Sequence, residues 1–128
     1  MAGQQPPAIV IQHMSTAFAG QGMCAVRFSV ETFAGDGDAG TVTLSLVFRD
    51  RQNKQVARGQ LAVALNDSTA GRYQEPVLEG PEFCLDSDTS VVVTKAKSEH
   101  EGKTHDLLQL KKVRVSTFKP YPITLGTR

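Results

Sequence analysis

The sequence contains no tryptophan, few aromatic residues and almost no net charge. Its 14 Lys and Arg residues nearly balance 13 Asp and Glu residues, which leaves a net charge of +1 over 128 residues. The strong positive field of a dedicated nucleic-acid-binding protein is therefore missing. No apolar run approaches the roughly 18 residues of a membrane-spanning helix. The chain predicts neither a nucleic-acid partner nor a membrane span.

The motifs that carry common catalytic chemistry are also lacking. There is no G-x-S-x-G nucleophile elbow, no P-loop and no G-x-G-x-x-G that opens a helix. His100 and His105 lie close to three carboxylates, and such a group can bind a metal. We interpret this segment as a solvated hairpin tip, because an exposed tip seldom holds metal ligands in place. We expect no catalytic residue, no metal site and no cofactor, and therefore no enzyme.

Alternation of apolar and polar residues with period two dominates what is present. It is clearest from Cys24 to Val30, from Val42 to Phe48 and from Leu61 to Leu65. Seven extended runs of this kind are separated by turn-forming residues, and no long helix is evident. The sequence predicts an all-β protein with one domain over residues 1–128. Its expected fold is a seven-stranded immunoglobulin/fibronectin III-like β-sandwich.

The ends of the predicted domain are less regular. Residues 1–7 are expected to be a flexible N-terminus, and residues 119–128 a Pro-containing segment beyond the last strand. The last long run, from about Thr104 to Phe118, changes phase. Either a bulge lies near Lys111 and Lys112 or two strands meet there, and a short helix over 106–110 is an alternative.

Two cysteines, Cys24 and Cys84, allow a single pairing. Both lie in apolar runs, so two buried free thiols are one interpretation. We predict instead a structural disulfide in an exported protein, with both cysteines reaching the core. The first residues lack the apolar stretch of a signal peptide. The expected location is secreted or periplasmic after removal of a signal peptide, although a native cytosolic start is an alternative.

Charge is distributed unevenly in the second half of the chain. Residues 75–88 include five acidic residues and no basic residue, and residues 95–114 include six basic residues and three acidic residues. These segments either face each other or solvent, or one of them steers a charged protein partner. The acidic residues that we predict to contact a partner are Glu75, Glu79, Glu82, Asp86 and Asp88.

As a whole the chain resembles the interleukin receptor mimic family of small exported bacterial proteins. The stretches that carry the resemblance are CAVRF from Cys24, GQLAVAL from Gly59 and PEFCL from Pro81. The resemblance implies a fibronectin III-like fold, a domain-swapped homodimer and a virulence-associated protein that binds host interleukins and modulates the immune response. It transfers no functional residues, because no specific motif carries it.

Other functions are compatible with the same pattern. A periplasmic or envelope β-sandwich adaptor, or a pilus-type assembly subunit, would accept an extended peptide as an added strand. An inhibitor of an envelope hydrolase would insert a loop such as 98–103. Self-association is expected because sandwiches leave edge strands open to pairing. The segments 35–40 and 66–71 are candidate hinges for strand exchange.

Overall fold

The protein folds as two β-sheets packed face to face. Its structure, a computed structural model, describes residues 6–86, 88–116 and 123–125. Ten strands and one short 3-10 helix lie in these ranges. The strands are β1 (Ile9–Gly20), β2 (Met23–Thr32), β3 (Gly40–Arg49), β4 (Gln55–Leu65), β5 (Tyr73–Gln74), β6 (Val77–Gly80), β7 (Ser90–His100), β8 (Lys103–Asp106), β9 (Val113–Ser116) and β10 (Ile123–Leu125), and the 3-10 helix is Pro81–Phe83.

The first sheet, sheet A, is built around the hairpin of β1 and β2. Strand β1 pairs antiparallel with β2 and parallel with β9, which aligns only with residues 9–12 of β1. The short strands β5 and β6 share the other edge of β2. Pro76 separates them, and because proline has no N–H to donate it interrupts that edge.

The second sheet, sheet B, has β3 at its centre. Strand β3 pairs antiparallel with β4 on one side and with β7 on the other. The far edge of β7 is shared by β8, which is antiparallel, and by β10, which is parallel. At Thr94 β7 holds one residue more than β3, and this bulge places Thr94 and Lys95 together on the outer side of the sheet.

The core is the layer of alternate side chains between the two sheets. Phe28 of sheet A and Phe48 of sheet B are fully buried, with ring centroids 6.4 Å apart. Phe83 of the 3-10 helix packs edge-on to Phe48 at 5.4 Å, and His13 lies 5.6 Å from Phe28. These rings form a continuous chain that links both sheets and the 3-10 helix. Such tilted and edge-on contacts add to the burial of apolar area.

The two loops proposed as hinges are tied to each other. The backbone N–H of Asp67 donates to Asp38 Oδ1 at 2.7 Å, and that of Gly35 donates to Asp67 Oδ1 at 3.0 Å.

Gly40, at the start of β3, has φ of +74°. A Cβ there would collide with the carbonyl oxygen of Glu99, so this position requires glycine.

Several local predictions are wrong, although the predicted sandwich is confirmed. One of the seven predicted extended runs is the short apolar piece around Phe83, and it is not a strand, because Pro81 at its start favours a 3-10 turn. For the run from Thr104 to Phe118, by contrast, one of the stated alternatives is confirmed: its described part divides into two strands, β8 and β9, with turns over 107–112 between them and no helix over 106–110. Regular structure also does not end at the prolines, since β10 follows them and pairs with β7.

The last two residues of the predicted flexible N-terminus, Pro6 and Pro7, are buried, and only Ala8 separates them from β1. Residues 1–5 lie outside the described ranges, as does most of the predicted Pro-containing segment 119–128, from which only 123–125 are described.

One buried histidine makes folding sensitive to acid. His13 is fully buried in the core, where its Nε2 lies 2.9 Å from Thr16 Oγ1. Burial lowers its pKa below the usual 6.5, although a hydrogen bond with the Ser15 backbone opposes part of this effect. Below pH 6.5, His13 therefore binds a proton more readily in the unfolded chain than in the folded chain.

We expect the free energy of unfolding to be highest above pH 6.5 and to fall as the pH is lowered through and below that value. Urea denaturation between pH 7.5 and 5.5 measures this. The variant His13→Gln should lose less stability over that range than the wild type. The control His105→Gln, which changes a partly exposed histidine, should lose as much stability as the wild type. Equal losses in the wild type and in His13→Gln would contradict the assignment.

Candidate protein-binding surface

The disulfide fixes the segment that carries the predicted acidic residues. Cys24 and Cys84 are bonded, with Cα atoms 5.0 Å apart, so the predicted pairing is confirmed and the free-thiol interpretation is wrong. Cys24 lies on the core side of β2 with 7% of its surface exposed. Cys84 is exposed, however, so the expectation that both cysteines reach the core is wrong. The bond anchors the end of the 3-10 helix to the start of β2.

Strand β6 turns its acidic residue outward because its neighbours are buried. Leu78 points into the core and packs directly over Gly59 of β4, where a Cβ would lie only 2.5 Å from Leu78 Cδ1. Because side chains alternate along a strand, Val77 and Glu79 then lie on the outer side of sheet A. In the register of the sheet, Val77 is opposite Arg27.

The five predicted acids are all exposed, but they do not form one patch. Glu75 lies between β5 and β6, and Glu79 follows on the outer side of β6. The Glu82 carboxylate folds back over Gly80, and Asp86 lies on the segment that crosses to sheet B. Asp88 is paired with Arg51 in the β3–β4 loop at 3.4 Å. Of these five acids, only Glu75 and Glu79 therefore lie on the outer side of sheet A.

Around Glu75 the side chains are joined in a polar network. Its Oε2 accepts a hydrogen bond of 2.6 Å from the Tyr73 hydroxyl, and its Oε1 lies 3.4 Å from Arg27 Nη1. The Arg27 guanidinium also donates to Ser15 Oγ at 3.4 Å, which connects β5, β2 and β1. Both members of the Arg27–Glu75 pair are substantially exposed, so the pair itself adds about 1 kcal/mol at most. Its effect is to hold Tyr73 and Arg27 in place.

Tyr73 remains a hydrogen-bond donor in this network. The hydrogen bond to Glu75, together with burial and the negative charge of that carboxylate, raises the pKa of the Tyr73 hydroxyl above its usual value of 10.0. Tyr73 is still 39% exposed as a residue, and Val77 beside it is 49% exposed. We call Arg27, Tyr73, Glu75, Val77 and Glu79 the Tyr73 surface.

The composition of the Tyr73 surface is typical of a protein-binding site. Tyrosine and arginine are enriched at the residues that dominate binding energy in protein interfaces, and a polar rim usually surrounds them. Here a preordered tyrosine and arginine adjoin an exposed valine, with acidic groups beside them. The surface can therefore bury apolar area against a partner and attract a partner of positive charge.

Sequence reasoning identified the acids of this surface but missed Arg27, Tyr73 and Val77. The signal for two of them was present, because Tyr73, Glu75, Val77 and Glu79 occupy alternate positions and so share one side of an extended chain. Pro76 in the middle of that run obscured the pattern. Arg27 could not be found locally, since it reaches Glu75 across the sheet.

The basic residues between 95 and 114 do not form one surface patch, and His100 and His105 do not form a metal site with the carboxylates near them in sequence. Lys95 and Lys97 lie on the outer side of sheet B, whereas Lys111, Lys112 and Arg114 lie on or before β9, which belongs to sheet A. His100 Nε2 lies 3.5 Å from Glu101 Oε2 at the β7–β8 turn. Within the ranges that the structure describes, no three His, Cys, Asp or Glu side chains are arranged to hold a metal ion.

Comparison with known proteins identifies the fold and the family. The family model for IrmA, interleukin receptor mimic protein A, matches residues 9–115. The solved structure of IrmA from Escherichia coli is similar to the chain with a TM-score of 0.73 and 24% identity, covering 92% of this chain and 98% of that one. No curated protein matches the chain. The structural likeness confirms the immunoglobulin/fibronectin III-like sandwich, although ten strands are described where seven were predicted.

Proposed function

The chain belongs to the interleukin receptor mimic family, and on that premise we propose that it is a secreted bacterial module that binds host interleukins and modulates the immune response. The match of the family model over residues 9–115 is the observation that carries the proposal. The family is by name a receptor mimic and not an enzyme family, which agrees with a function in binding. In the part of the chain that the structure describes, no helix is long and apolar enough to cross a membrane.

The Tyr73 surface is where we place the contact. It is an exposed, polar-networked surface on a rigid sheet, and the disulfide holds the neighbouring segment in position. Glu82 and Asp86 extend the negative charge toward the 3-10 helix, whereas Asp88 is engaged with Arg51. The proposed partner is therefore a helical cytokine that presents a basic surface.

Surface plasmon resonance of the protein against a panel of purified human interleukins tests the proposal. Binding of at least one member at micromolar concentration or below is expected. Absence of binding across the panel would reject the interleukin partner. The alternative of a periplasmic adaptor or pilus-type subunit would then be preferred, and capture of an extended peptide at a sheet edge would test it.

We expect charge reversal at Glu79, in the Tyr73 surface, and at Glu82, in the adjoining 3-10 helix, to slow association. The double variant Glu79→Lys/Glu82→Lys should reduce the association rate constant by about tenfold at low salt and weaken its salt dependence, because the steering field is reversed. The fold should be unchanged, since both side chains are exposed.

A matched control is Glu99→Lys/Glu101→Lys, which changes the net charge equally at the exposed β7–β8 end. It should leave the rate constant within about twofold of the wild type. Equal slowing by both variants would show that only net charge matters, and would contradict the assignment of the Tyr73 surface.

We also propose that the protein is a homodimer, because within the described residues the edge strand β4 pairs only with β3 and β9 pairs only with β1. Exchange of strands at 35–40 or 66–71 would have to break the hydrogen bonds that join Asp38, Asp67 and Gly35. Light scattering over a concentration series decides the oligomeric state. A mass that stays at 13.8 kDa at the highest concentration would exclude the dimer.

A further inference from the structure

The outer side of sheet B carries a groove that the proposed interleukin contact does not use. It has a volume of about 510 Å³ and opens where β7 bulges at Thr94. Ser45 at its floor is opposite Gln60 of β4 on one side and Lys95 of β7 on the other. Arg58 lies one row further along, opposite Val47. The bulge and the small side chains at this point make the groove shallow and accessible.

Two cations, Arg58 and Lys95, line this groove, and Lys97 lies one row beyond Lys95 on the same side of β7. Arg58, Lys95 and Lys97 are all exposed, and among the residues that the structure describes none has a carboxylate within 4.0 Å. The acids on this side of the sheet are at one end. Asp106 is opposite Lys97 and Glu99 lies two residues further along β7, toward the β7–β8 turn. An anionic ligand is therefore favoured from Lys97 toward Arg58 and disfavoured beyond Lys97.

The remaining lining of the groove combines polar side chains with the apolar residues Leu46 and Val47 and with Gly59. Ser45 and Gln60 offer a hydroxyl and an amide group, and the Thr94 hydroxyl, which donates to the Ser45 carbonyl oxygen at 3.3 Å, can still accept a hydrogen bond. The exposed aromatic residues that the structure describes, Phe18, Phe33 and Tyr73, all lie elsewhere. With no aromatic side chain among its described lining residues, the groove offers neither the usual anchor of a protein interface nor a stacking platform for nucleotide bases.

We propose that this groove binds a sulfated polysaccharide, with Arg58, Lys95 and Lys97 contacting its sulfate groups and Ser45, Gln60 and Thr94 its hydroxyls. Arginine and lysine bind such oxyanions by charge-assisted hydrogen bonds. Because a linear polysaccharide spans several sulfates, three cations spread over β4 and β7 act together. This site lies on the opposite sheet from the Tyr73 surface, so it is independent of interleukin binding.

Binding to immobilised heparin, followed by surface plasmon resonance at several salt concentrations, tests this site. The wild type is expected to bind with strong salt dependence. The triple variant Arg58→Gln/Lys95→Gln/Lys97→Gln should lower the affinity at least tenfold. The matched control Lys111→Gln/Lys112→Gln/Arg114→Gln removes the same net charge from the other sheet and should change the affinity less than twofold. Thermal unfolding of both variants verifies that they are folded.

The outcomes separate this ligand from other polyanions. Competition by heparin but not by desulfated heparin, single-stranded DNA or polyglutamate supports the proposal. Equal competition by DNA or polyglutamate would overturn the assignment to a sulfated polysaccharide. The proposal also fails if the wild type does not bind heparin at low salt, or if both triple variants lose affinity equally. Interleukin binding by the groove variant should remain at the wild-type level, which keeps this test distinct from that of the proposed function.

Discussion

Replacing Cys24 and Cys84 with alanine should lower the free energy of unfolding by about 4 kcal/mol. The bond closes a loop with a sequence separation of 60 residues, and the entropy that such a loop removes from the unfolded chain corresponds to roughly that value. The loop holds β3, β4, β5 and β6, so nearly half of the fold is constrained. Cys24 is buried, and its replacement adds a smaller loss of packing.

Urea denaturation with and without a reducing agent measures this effect. The oxidised wild type should unfold at a higher urea concentration than the reduced wild type. The double alanine variant should unfold slightly below the reduced wild type, because it also loses the packing of Cys24, and its midpoint should not change with the reducing agent. Because Cys84 is exposed, the bond should be accessible to the reductant. Equal midpoints for the oxidised and reduced wild type would contradict the stabilising role of the bond.

Truncating Phe28 should destabilise the fold by a similar amount. Its ring is fully buried and contacts both His13 in its own sheet and Phe48 in the opposite sheet. Phe28→Ala removes that link and leaves a cavity between the sheets, for which about 3–5 kcal/mol is typical. The free energy of unfolding from urea titration gives the value directly.

The chain offers a matched control of identical chemistry. Phe18→Ala makes the same truncation on a side chain that is 70% exposed, so we expect a change within about 0.5 kcal/mol. Phe28→Leu, which retains most of the buried volume, should fall between the two. If Phe18→Ala were as destabilising as Phe28→Ala, the position of the core would be wrong.

The long strands were predictable because each has one buried and one exposed side. From Cys24 to Val30 and from Val42 to Phe48, apolar residues alternate with polar ones, and the structure buries the predicted side. The sandwich follows from several such strands. The family resemblance followed from the pattern of the whole chain, since no single residue specifies it.

Short strands and long-range pairings could not be predicted in the same way. Strands β5 and β6 have two and four residues, too few for a period to be visible. Strand β10 follows two prolines and forms by pairing parallel with β7, about thirty positions away in sequence. Phe83 lies in an apolar run whose conformation depends on the preceding proline. For the strands the determining contact is distant in sequence, whereas the turn at Phe83 depends on Pro81, two residues before it.

The candidate site was predictable in charge but not in shape. Five acids between residues 75 and 88 are visible in the sequence, yet the fold places Asp88 beside Arg51 and leaves Glu75 in a network with Arg27 and Tyr73. Arg27 is 48 residues away from Glu75. Such a network depends on the pairing of β2 with β5 and β6, which only the folded chain reveals.

We propose that the chain binds an interleukin through the Tyr73 surface. Hydrogen–deuterium exchange of the protein, alone and with each interleukin of the panel at saturating concentration, tests it most directly. We expect at least one interleukin to slow exchange over residues 73–82 and at Arg27, while β3, β4 and β7 of sheet B exchange as in the free protein. Slower exchange confined to sheet B, or unchanged exchange throughout with every interleukin, would contradict the claim.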